Sequence, residues 1–111
     1  MASLRPGSKA DLFLDGIPVG TVRVRRCHTS WGFGYFEPSG RFTRFAPVFG
    51  RWSLLMHADE ESDELSPDTA DELREVEAAL DRVHAELRLG EQRIDLAQVN
   101  IDGPLIEWKS A

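Results

Sequence analysis

The chain has 111 residues, 41% hydrophobic, 29% charged and 9% aromatic, with a net charge of −6. That length supports one hydrophobic core and not two, and the composition excludes a disordered polyelectrolyte. A lone cysteine excludes a disulfide framework, no run approaches the ~18 apolar residues of a membrane helix, and the opening MASLRPGSKADLFLDG lacks a signal peptide's apolar segment. A cytoplasmic domain with no membrane partner is therefore expected.

Residues 1–9, with Pro6 and Gly7 and no periodicity, read as a flexible tail ahead of a single domain over 10–111. ADLFLDGIPVGTVRVRR alternates apolar and polar residues on both sides of Asp15-Gly16, the chemistry of a tight turn between antiparallel strands. Val22 and Val24 are expected to face the core, with Thr21, Arg23 and Arg25 pointing outward. CHTS reads as a turn, and WGFGYFEP as a third strand ended by Pro38, with Phe33 and Tyr35 on one face and Phe36 on the other.

Beyond Gly40 the apolar spacing changes from two to three and four. Phe42, Phe45, Phe49, Trp52 and Leu55 or Met56 predict an amphipathic helix over about 43–58, with Thr43 as its N-cap and Pro47 in its first turn. The acidic stretch 59–65 links it to a second helix over 67–86, opened by Ser66 as N-cap and Pro67, with Ala70, Leu73, Val76, Leu80, Val83 and Leu87 as its stripe. A second Asp-Gly pair, Asp102-Gly103, predicts a closing β-hairpin between AQVNI and LIEWK, with a short strand before it. The expected fold is α+β: a three-stranded antiparallel meander, two helices, then that hairpin.

Charge is divided along the chain. Up to His57 there are eight basic residues against three acidic, and beyond it five against sixteen; nine of the ten aromatics also lie in the first part. An anionic or aromatic-seeking partner would meet the first half.

The segment GTVRVRRCHTSWGFGYFEPSG resembles the opening of a cold-shock domain, in which a Gly-Phe-Gly-aromatic strand follows a Gly-Thr-Val strand. That resemblance implies base stacking on Phe33 and Tyr35, beside a positive groove from Arg23, Arg25, Arg26, Arg41 and Arg44. Trp31 stands where that family has a basic residue, and no second aromatic motif follows. The spacing Trp31-x-x-Gly34-x-Phe36-x-Pro38, with Phe42, the Arg44–Pro47 turn and the ending IDGPLIEW, also resembles a group of small bacterial α+β proteins of unassigned function, which implies no activity.

A domain this small needs large rings inside, so Phe33 or Phe36 is expected beneath the first helix, with Gly32 and Gly34 admitting the helix backbone. The leading functional expectation is a non-catalytic interaction module. Its partner is another protein or a second copy, met through Arg23, Arg25, Arg26, Trp31, Phe33, Tyr35, Arg41 and Arg44. Single-stranded nucleic acid is the alternative partner, and an enzyme built around Cys27 and His28 is the second alternative. With no phosphate-binding glycine loop and no paired metal-ligand spacing, neither cofactor nor metal is expected. Cys27, His28, His57 and His84 would form a metal or thiol site only if folding brought them together.

Overall fold

The computed structural model describes residues 5–61 and 67–111, the side chains of 57–61 excepted. Six strands, β1 (Lys9–Leu14), β2 (Ile17–His28), β3 (Trp31–Pro38), β4 (Ala85–Leu89), β5 (Gln92–Asp102) and β6 (Leu105–Ser110), form a closed antiparallel barrel in the order β1-β2-β3-β6-β5-β4. The expected meander and separate closing hairpin are thereby corrected. β6 pairs with the free edge of β3, Gly32 opposite Trp108, and β4 pairs with the free edge of β1, Leu12 opposite Leu87. Such pairings join residues more than seventy positions apart, which alternation within a strand does not encode.

Between β3 and β4 the chain leaves the barrel as a 3-10 turn (Gly40–Arg44), α1 (Ala46–Glu61) and α2 (Pro67–Asp81). α1 starts three residues later than expected, and Thr43 does not cap it. The Thr43 hydroxyl instead donates to the Gly40 carbonyl at 2.9 Å, inside the 3-10 turn. Pro47 does fall in the first turn of α1, where its missing N–H has no cost. Ser66, the expected cap of α2, lies outside the described residues. α2 stops at Asp81 rather than 86, because Arg82 and Val83 close back three residues onto Ala79 and Leu80. Leu87, which continued the apolar stripe of that helix in sequence, is a fully buried residue of β4.

The aliphatic side chains of the strands fill the barrel: Leu12, Leu14, Val19, Val22, Val24, Leu87 and Ile106 are essentially inaccessible. Trp108 is the largest fully buried side chain. The helical end is plugged by Phe45 and Phe49 with Phe36 and Phe42, the Phe36 and Phe42 rings meeting edge-on with centroids 4.9 Å apart. Leu80 and Val83 pack against the same core from the exit of α2. Exposed Arg51 reaches Glu72 at 3.5 Å between the helices, a link worth ~0–1 kcal/mol. Among the described residues no helix is long and apolar enough to cross a membrane.

Gly32 and Gly34 admit barrel neighbours, not a helix. A Cβ on Gly32 would lie 2.1 Å from the Trp108 indole, and one on Gly34 would lie 2.1 Å from the Arg23 carbonyl oxygen. Gly50 in α1 has open space around its Cα. In urea unfolding, Gly34→Ala should therefore lose about 1–3 kcal/mol, since β2 cannot retreat without opening the barrel. Gly50→Ala should gain about 0.5–1 kcal/mol from helix propensity. Equal midpoints for the two variants would contradict this packing.

Candidate functional site

Residues of β3 alternate strictly between inside and outside. Gly32, Gly34 and Phe36 point inward, whereas Trp31, Phe33 and Tyr35 point outward with 39%, 37% and 44% of their surfaces accessible. Phe36 is thus the ring beneath the helical plug, and Phe33 is not. Successive outward rings on one strand are about 6.8 Å apart, so the three form a row along the barrel wall.

β2 supplies the cationic border. Its register shifts between Val24 and Arg26: Val24 is opposite Gly34 and Arg26 is opposite Phe33. Arg25 is the extra residue of this bulge, and the phase change brings Arg26 to the same outer side as Arg23. Simple alternation would have turned Arg26 inward. Arg23 lies opposite Tyr35, and the Arg25 guanidinium stands 5.5 Å from the centre of the Tyr35 ring. On the other flank β6 places Lys109 opposite Trp31, Glu107 opposite Phe33 and Leu105 opposite Tyr35. The Lys109 ammonium is 5.7 Å from the Trp31 ring. Each cation holds an aromatic face without covering it, a contact worth ~0.5–1 kcal/mol at an exposed site.

Two shallow hollows adjoin the row. One, of about 240 Å³, lies among Arg26, His28, Trp31, Phe33 and Glu107; the other, of about 310 Å³, among Lys9, Thr21, Arg23, Tyr35 and Glu37. A larger cleft of about 860 Å³ runs between Trp52 and Met56 of α1, the exit of α2 and the outer side of β5 and β6, and it reaches Phe33, Leu105 and Glu107. Its charged lining is mainly acidic, with Glu77, Asp81, Asp102 and Glu107.

Of the eight residues singled out in the sequence, Arg23, Arg25, Arg26, Trp31, Phe33 and Tyr35 share this face. Arg41 and Arg44 do not, since both lie on the 3-10 turn at the helical end and line neither hollow. Lys109, Glu107 and Lys9 join the face without having been expected. Alternation in LIEWKS would place Leu105, Glu107 and Lys109 together, but nothing local says that β6 pairs with β3.

Cys27 and His28 are strand residues rather than a turn, which consists of Thr29 and Ser30. As successive residues they leave opposite sides of β2, Cys27 opposite Gly32 and His28 opposite Trp31, so no thiol–imidazole pair forms between them. His84 stands at the entrance of β4, far along the chain, and the His57 side chain lies outside the described residues. Partial burial raises the Cys27 thiol pKa, the opposite of what a nucleophile needs. The fold and this face define a small closed barrel with an outward aromatic and basic sheet surface. Searches of protein-family models, of curated proteins and of solved structures each found no match to the chain.

The raised thiol pKa predicts a smaller thiolate fraction in the folded protein near neutrality. Alkylation of Cys27 by iodoacetamide at pH 7.5 should be slower in the native protein than in urea. A faster native reaction would mean an activated thiol.

Proposed function

We propose that the outer face of β2, β3 and β6 binds single-stranded nucleic acid, with bases stacking on Trp31, Phe33 and Tyr35 and the phosphates following Arg23, Arg25, Arg26 and Lys109. The observation that carries the reading is the row of three large rings on the outer side of β3. Where the strand meets the core it carries two glycines and Phe36, and where it meets water it carries three large rings. Exposed rings in a row, bordered by cations, suit a partner whose own flat faces repeat along an anionic backbone. The likeness of residues 20–40 to a cold-shock opening supports the same assignment.

The net charge of −6 does not oppose it locally. The acidic excess belongs to the chain beyond His57, including α2, whereas Lys9, Arg23, Arg25, Arg26 and Lys109 surround the rings against Glu37 and Glu107. A second reading, a protein partner on the same face, is favoured by Leu105, which is 39% exposed and prolongs the apolar row beside Tyr35.

A fluorescent random oligonucleotide, followed by anisotropy, tests the proposal. Binding is expected in the micromolar range at low salt. Three to four phosphate contacts would give a log–log salt slope of about −2 to −3. Trp31→Ala, Phe33→Ala and Tyr35→Ala should each lose about 1–3 kcal/mol. No binding by folded protein at low salt would assign the face to a protein partner.

A further inference from the structure

A different cluster lies across the barrel. β4 is three strands from β3 in either direction around the wall. Ala85 and Leu87 of β4 enter the core, so Glu86 and Arg88 face outward, and His84, two residues before Glu86, stands on the same side. Asp95 of β5 is directly opposite Glu86 in the ladder.

Two carboxylates in direct cross-strand opposition repel each other, and the lower the access of water the more they do so. Glu86 is 7% exposed, the one charged residue buried among the described residues. The Arg88 guanidinium, which lies 3.7 Å from the centre of the Phe13 ring, donates to one Glu86 oxygen and relieves that side. On the other side His84 Nε2 is 3.4 Å from an Asp95 oxygen. One ligand atom from each of His84, Glu86 and Asp95 lies within 4.8 Å of the other two.

We propose that His84, Glu86 and Asp95 form a three-ligand site for a divalent transition ion of the Zn²⁺ class, with water completing the coordination. Two ligands each about 2.0–2.1 Å from a tetrahedral ion are about 3.3–3.4 Å apart, the separation His84 and Asp95 already have. An imidazole with two carboxylates suits Zn²⁺ or its first-row neighbours, whereas Mg²⁺ and Ca²⁺ require more oxygens. The ion's double charge offsets the two opposed carboxylates.

The backbone that carries His84 and Asp95 is anchored, and the Glu86 side chain is held. His84 donates its backbone N–H to the Asp15 carboxylate at 2.8 Å, and the Asp15 N–H returns a bond to the His84 carbonyl at 2.7 Å. Arg88 orients Glu86, and the Ala111 N–H bonds the Asp95 carbonyl at 2.9 Å. The Arg88 bond is the kind of outer support that orients a ligand, and the backbone bonds fix where the His84 and Asp95 side chains start. The His84 and Asp95 side chains remain 61% and 68% exposed, so an ion has a path and open positions. A single imidazole and the nearby Arg88 charge limit the site to micromolar affinity.

Calorimetric titration of the full chain with Zn²⁺, after chelator treatment, tests this. One equivalent is expected to bind, to raise the thermal midpoint, and to resist competition by millimolar Mg²⁺. His84→Ala and Asp95→Asn should each weaken binding at least ~10-fold. In imidazole-¹⁵N spectra only His84 should respond. Absence of saturable binding, or binding that survives both ligand substitutions, would overturn the proposal.

Discussion

The structure depends on what a six-stranded barrel can hold inside. Trp108 is the largest side chain fully buried there, and its indole lies 2.1 Å from where the β-carbon of residue 32 would otherwise be. β3 must present glycine inward at 32 and again at 34, where the β2 backbone approaches, so its inward bulk is confined to Phe36. Packing therefore dictates the glycines, while Trp31, Phe33 and Tyr35 lie on the outer side with more than a third of each exposed.

The local order was legible from residues alone. Alternation in LFLDGIPVGTVRV and the Asp-Gly pair describe β1, β2 and their turn, and the structure gives Asp15 and Gly16 the positive φ values, 52° and 78°, that such turns use. The period of three and four in the phenylalanines marks α1, although Phe42 and Phe45 lie ahead of it, in and just after the 3-10 turn. What failed was everything that depends on distant pairing. Leu87 fits a helical stripe as well as it fits a strand, and only its contact with Leu12 decides between them. Closure is a property of the sum of strand tilts and registers, and no window of a dozen residues contains it.

The site divided along the same line. Phe33 and Tyr35 were readable as one side of a strand; that this side is the outer one follows from Trp108, more than seventy residues away. The bulge at Arg25 had no marker in the sequence, since a run of two arginines reads equally as strand and as strand end. His84, Glu86 and Asp95 have no motif spacing at all, because two strands and a helix exit bring them together.

The path of the chain around the wall has a consequence for its synthesis. β1, β2 and β3 are made first, yet both outer edges of that sheet, at β1 and at β3, are covered only by β4 and β6, which follow the whole helical excursion. While the last third is still being made, a three-stranded sheet with two unpaired edges and an uncovered apolar side would stand in water, the state most open to edge-to-edge association. The contacts that end it are long-range, which slows closure. Protection of the nascent sheet therefore falls to its own side chains: Lys9 and Asp11 on one edge strand and Glu37 with Pro38 on the other place charge and a missing N–H donor where a second chain would pair.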